Sequence, residues 1–205
     1  RVSRGLGDVY KRQTFTASKT TIGEPQIGSY GLYFGRVTEE KGVETVIKAY
    51  EKLPEYTVKI MGDDTTDEAK RLKKYVKDHK MKNVEFLGFK SGEELEDIIK
   101  GARFTLIPSI WYDNLPNTAL ESFQYSKPVI ASNIGSLPEL VSDGENGYLF
   151  EPSNVEDLIK KIKMLDDDIL VKKMGQASRK RLENRFAPQS HYEALMKIFN
   201  EAVKN

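Results

Sequence analysis

From Ile27 onward, short apolar runs alternate with longer amphipathic segments, and this alternation constrains the fold more than any other feature of the chain. The runs "SYGLYFG", "YTVKIMG", "NVEFLG", "RFTLIPS", "KPVIAS" and "GYLFE" are too short for core helices. Several are continuously apolar, as buried strands of a parallel sheet are. Between them, "VETVIKAYEKL" puts Val43, Val46, Ile47 and Tyr50 on one helical face, and "EAKRLKKYVKDHK" puts Leu72, Tyr75, Val76 and His79 on an inner stripe. "SGEELEDIIKGA" starts a helix with Ser91 as its cap. The segment from Gly135 to Pro138 reads as a loop, and the chain turns helical after Asn154 and ends with "HYEALMKIFNEAV". Strands alternating with helices predict an α/β domain, a doubly wound parallel sheet with helices on both faces.

The boundaries follow from where the pattern fails. "RVSRGLGDVYKRQ", residues 1–13, has no period and no apolar face, and reads as a leader foreign to the fold. Residues 14–27, with their Gly-Glu-Pro, read as a linker. Residues 28–187 form the predicted domain and 188–205 a C-terminal helix. An apolar share of 39% in 205 residues is enough for one core. With 32 basic and 31 acidic side chains the net charge is +1, so bulk charge does not select a polyanion and any phosphate binding must be local. The lack of cysteine excludes disulfides and thiolate chemistry and suits a cytoplasmic protein. No apolar run reaches the roughly 18 residues of a spanning helix.

In such sheets, ligands sit beyond the carboxyl ends of the strands. In "YFGRVTEEKG", Gly35 and Arg36 follow the first strand, and Lys41 stands just before Gly42 and a helix. A tight loop can aim both cations into one crevice, where a guanidinium fork and an ammonium suit a diphosphate; two solvated loop cations would share the spacing. In "MGDD", Asp63 and Asp64 either hold magnesium or form an acidic turn that caps the next helix. No phosphorylatable aspartate is evident on a neighbouring strand end, which favours the turn.

The most informative stretch is "PSIWYDNLPNTALE", residues 108–121. A helix beginning near Pro116 leaves free amides at Asn114 to Thr118, a ready site for phosphate or sugar oxygens. Glu121, one turn beyond Asn117, looks into the crevice behind that site, where a carboxylate can accept two hydrogen bonds from a vicinal diol. A ribose linked to a diphosphate has that shape. Trp111 and Tyr112 either stack on a ligand or anchor the loop in the core. The basic helix with Lys70, Arg71, Lys73, Lys74, Lys77 and Lys80 reads as a solvated face, not a nucleic-acid surface, because its apolar stripe explains it and "EELEDIIK" restores the balance. His79 and His191 stand isolated. No Gly-x-Gly-x-x-Gly follows a strand, which disfavours a dinucleotide oxidoreductase.

Taken in order, "GRVTEEKG", "VKIMGDD", "VEFLGFKSGEEL", "PSIWYDNLPNTALE" and "KPVIASNIGSLPELVSDGENGYLF" resemble the C-terminal domain of group 1 (family 4) glycosyltransferases of the GT-B fold, from about Gly28 to the end of the chain. The resemblance implies a Rossmann-like domain that binds a nucleotide-sugar donor and belongs to a retaining hexosyltransferase using no metal or other cofactor. By position, Arg36 and Lys41 fall where the family binds the donor diphosphate. Asp113 and Glu121 fall on its Glu-x7-Glu pair, the first acid facing the sugar and the second the ribose. Asn114, Leu115, Pro116 and Asn117 would give amides to sugar and phosphate, and backbone at Gly88, Phe89 and Lys90 would hold the base, beside Gly35. The implied catalytic set is Arg36, Lys41 and Asp113. The acceptor, a glycan or lipid-linked sugar, would bind an N-terminal half not represented in this sequence, and the full-length enzyme could sit at the inner face of a membrane. The departures are Asp113, one methylene shorter than the usual Glu, and Ser122, Gln124 and Ser126 in place of smaller residues, Ser126 where a left-handed Gly often ends the helix. The alternative is a nucleotide- or sugar-phosphate-binding module without transfer activity.

Overall fold

The computed structural model of the chain describes residues 26–112, 114, 116–186, 192, 196, 197, 199 and 200. The expected leader, most of the expected linker, Asp113, Leu115, His191 and most of the expected C-terminal helix lie outside these residues. Six strands, β1 (Tyr30–Phe34), β2 (Thr57–Met61), β3 (Val84–Gly88), β4 (Ala102–Ile107), β5 (Val129–Ser132) and β6 (Gly147–Phe150), form one sheet in the order β3-β2-β1-β4-β5-β6, and every pair is parallel. The helices are α1 (Val43–Glu51), α2 (Asp67–Asp78), α3 (Gly92–Lys100), α4 (Asn117–Gln124), α5 (Leu137–Leu140), α6 (Val155–Met164) and α7 (Asp168–Arg185), with a 3-10 turn at Glu39–Lys41. The predicted doubly wound α/β fold is therefore the observed one.

The strand periodicity explains the two cores. Tyr33 of β1 joins Val46, Ile47, Leu72, Phe104, Leu106 and Leu158 on one face, beneath α1, α2 and α6. Leu32 and Phe34, its neighbours in sequence, point to the other face with Ile99 and Tyr125. Next to them, Leu120 and Phe123 of α4 pack on Val129 and Ala131. β1, β4 and β5 are almost wholly buried, while the edge strand β3 is only partly so.

Several local expectations are corrected. His79 is exposed, stacking on Tyr75 at a ring separation of 3.9 Å with Nδ1 2.9 Å from the Tyr75 carbonyl oxygen; at the C-cap of α2 it lies past the turn that the inner stripe occupies. Leu137 and Pro138 of the expected loop instead begin the four-residue α5, which Leu137 and Leu140 fasten to the core. Ser91 occupies the N-cap of α3 but its side chain makes no capping bond. Ser126 does end α4 in the left-handed region, at φ 54°, so the serine accepts a conformation that glycine would take without steric cost. Its carbonyl faces α7 at a point where a Cβ on Gly175 would come within 2.1 Å, so glycine lets the two elements meet. Ser122 replaces a smaller residue because it has work inside: its hydroxyl donates to the Thr118 carbonyl at 2.6 Å and accepts from Thr105 at 2.8 Å, joining α4 to β4.

Candidate active site

The sheet order reverses direction between β1 and β4, and a crevice opens there, beyond the carboxyl ends of the strands. Its floor is backbone. A Cβ on Gly62 would lie 1.8 Å from the Gly35 carbonyl oxygen, and one on Gly42 2.0 Å from that of Pro108. The Gly35 amide donates to Met61 at 2.9 Å, and the Ile110 amide to Glu40 at 3.0 Å. These contacts fix the loop after β1 against the ends of β2 and β4. Gly42, left-handed at φ 66°, closes the 3-10 turn that carries Lys41.

Two clefts make up the crevice. The first, of about 200 Å³, is lined by Gly35, Arg36, Lys41, Ser109, Pro116 and Asn117 among others. The second, of about 310 Å³, is lined by Arg36, Met61, Phe89, Lys90, Leu95 and Glu121 among others. Phe34, Gly35, Arg36 and Thr118 border both, so the clefts are contiguous. The structure thus brings Gly35, Arg36, Lys41, Pro116 and Asn117 together, and Gly35, Arg36, Phe89, Lys90 and Glu121 together. Asn114 is exposed, and its carbonyl accepts from the Ser136 hydroxyl at 2.6 Å. Gly88 sits one residue back from the second cleft at φ 71°, accepting from the Gly62 amide at 3.0 Å. Asp113 and Leu115 lie outside the described residues.

α4 starts one residue later than expected. Pro116 is its N-cap, in extended conformation, with no side-chain capping bond, and Asn117 is its first helical residue. The Pro116 carbonyl accepts from the Ala119 amide at 3.0 Å, so the amides of Asn117 and Thr118 precede the first helical bond. They lie at the positive end of the helix dipole, where an anion is favoured. Glu121 is half-buried, and burial raises its carboxyl pKa above the ordinary value of 4.5 with no described cation offsetting it. A carboxylate held this way has acceptor capacity to spare.

The paired acids of "MGDD" do other work. Asp63 accepts from the Thr65 amide at 3.0 Å and its hydroxyl at 2.6 Å, which holds its carboxyl below the usual range. Asp64 pairs with Lys73. Capping of α2 falls to Thr66, whose hydroxyl accepts from the Ala69 amide at 3.1 Å. The described residues contain no group of three or more His, Cys, Asp or Glu placed to hold a metal ion. The basic helix is covered by acids, with Lys70 on Asp67, Arg71 on Glu44 and Glu68, and Lys74 on Asp78. Trp111 and Tyr112, 66% and 74% exposed, do not anchor the loop in the core. No described helix is long and apolar enough to cross a membrane.

Sequence reasoning gave Thr118 only a helix-start amide, whereas it borders both clefts, and it passed over Lys127. The Lys127 ammonium is buried and donates to the carbonyls of Gln26, Lys100 and Ala102 at 2.6, 2.6 and 2.8 Å, while burial pulls its pKa down to about 8. It ties the chain entering β1 to the end of α3 and the start of β4. The only signal was a lysine beside an apolar strand, which also describes a surface residue.

The family model for group 1 glycosyl transferases matches residues 18–181. The chain belongs to that family. Within it the chain corresponds to the C-terminal domain: a C-terminal domain of a group 1 family protein from Francisella tularensis is 26% identical, with a TM-score of 0.69 over 86% of this chain and 98% of that one. An uncharacterised glycosyltransferase of Methanocaldococcus jannaschii is 30% identical over 174 residues, 84% of this chain and 48% of its own. An Anabaena protein crystallised with UDP and glucose shares the fold at 21% identity, with a TM-score of 0.75 over 84% of this chain and 48% of that one. The chain spans about half the length of the curated relatives it matches.

Proposed function

We propose that the chain is the donor-binding domain of a glycosyltransferase, with the diphosphate and sugar of a nucleotide-sugar in the smaller cleft and the nucleoside in the larger. The observation that supports this most is the contiguity of the two clefts at Gly35 and Thr118, one bordered by Arg36, Lys41 and the α4 amides, the other by apolar side chains and Glu121. Glu121 accepts from the ribose diol, Asp113 faces the sugar, and backbone at Phe89 and Lys90 holds the base. When the bond from the anomeric carbon to the diphosphate oxygen breaks, its electron pair stays on that oxygen. Arg36, Lys41 and the helix dipole stabilise the charge without a metal. The oxygen of an acceptor hydroxyl, from a glycan or lipid-linked sugar bound by the other half of the enzyme, then forms the new bond to the anomeric carbon on the same face, and its proton passes to the departing diphosphate oxygen.

Calorimetry of the chain in EDTA with UDP, GDP, ADP and the matching nucleosides tests this reading. One diphosphate is expected to bind more tightly than its nucleoside, with no gain on adding magnesium. Strict dependence on a divalent ion, or no binding of any of the six, would overturn it.

A further inference from the structure

The ring of Tyr33 is only 4% exposed and packs in the core beneath α1, where a phenylalanine would fill the same space. Its hydroxyl is the extra feature, and it donates to the backbone carbonyl of Arg36. The neighbouring peptides are already held: the Gly35 amide donates to Met61, and the Val37 carbonyl accepts from the Thr66 hydroxyl at 2.6 Å. The Arg36 carbonyl lies between these two held groups, on a residue that borders both clefts. Facing the crevice, its oxygen would repel an anion. Turned onto the phenol, it is satisfied, and the Arg36 side chain is left exposed toward the crevice. Gly35 belongs to the same turn, and its φ of 147° is a backbone conformation that a side chain would strain.

We infer that Tyr33 is a positioning residue for diphosphate capture, acting through Arg36 by fixing the orientation of its peptide. This rests on the nucleotide reading above. The test is a double-mutant cycle of the parent, Tyr33→Phe, Arg36→Ala and the double variant, titrated with whichever of UDP, GDP and ADP binds the parent best and with its nucleoside. Tyr33→Phe should weaken the diphosphate about tenfold, the size of one lost hydrogen bond, and leave the nucleoside unchanged. In the Arg36→Ala background the same change should cost less than about twofold. An equal loss in both backgrounds, an equal loss for both ligands, or no loss at all overturns the inference while the nucleotide reading stands. A parent that binds none of the ligands overturns both.

Discussion

The two clefts that meet at Gly35 and Thr118 share Phe34 and Arg36 but differ in what each adds to them. The smaller one presents backbone amides and two long cations, carried on a turn and a helix start where water already solvates them. The larger one presents Phe34, Met61, Phe89 and Leu95 around a single half-buried carboxylate. In the first, charge costs the fold little, because Arg36 is exposed and the amides are those any helix start leaves unpaired. In the second, burial disfavours the carboxylate, and no described cation offsets it. On the proposed reading, the first cleft offers its ligand exposed donors and the second a buried acceptor.

The change expected to do most erases the comparison. Gly62→Val would place a side chain against the Gly35 carbonyl oxygen, where even a Cβ comes to 1.8 Å, and would force the ends of β1 and β2 apart. A loss of about 3 kcal/mol in urea unfolding is expected, with neither nucleoside nor diphosphate bound. Normal binding would show that the floor is not shared.

Two smaller changes should separate the clefts. Arg36→Ala should cost about 1.5–3 kcal/mol for the diphosphate and spare the nucleoside, whereas Glu121→Gln should cost about as much for both. Calorimetry with the two ligands reads both, and a Glu121→Gln variant that binds like the parent removes that residue from the ribose.

The smallest effect sharpens the contrast in stability. Glu121→Gln should stabilise the empty protein at neutral pH by about 0.5 kcal/mol, while Arg36→Ala should leave it unchanged. The raised carboxyl pKa sets the sign: the native state holds its proton to higher pH than the unfolded chain, so stability falls from the unfolded carboxyl pKa upward and the cost is complete above the native one. The gain should therefore shrink as pH falls through that raised value. Thermal melts from pH 7 downward check this, and a gain that grows on acidification would mean Glu121 is stabilised as a carboxylate.

The central strands were legible because a strand buried on both faces must be apolar, and residues at strand ends were legible as a site because parallel topology gathers those ends. Arg36, Lys41 and Glu121 were found that way. Contacts between residues far apart in the chain were not legible. Nothing local announces that Lys127 will reach Gln26, Lys100 and Ala102, or that Arg179 will donate to the Gln124 carbonyl. Short-range competition misled in other places. Thr66 took the cap that two nearby aspartates could have supplied, and Pro116 stopped just outside the helix it was expected to begin. Thr118 was legible as a helix-start amide but not as the joint between two cavities, which no sequence period encodes.

The position of β1 bears on how this chain is made. It comes first in the chain among the described strands and lies inside the sheet, yet one of its two partners, β4, follows about seventy residues later. At ribosomal rates of about 5–20 residues per second, Tyr30–Phe34 waits roughly 4–14 s with one edge unpaired. During that wait the nascent chain exposes an apolar strand with free amides and carbonyls, the form most prone to pair with a neighbouring chain. Synthesis that pauses before Ala102 would lengthen the hazard, and a chaperone acting on this domain would do most good between the emergence of β2 and that of β4.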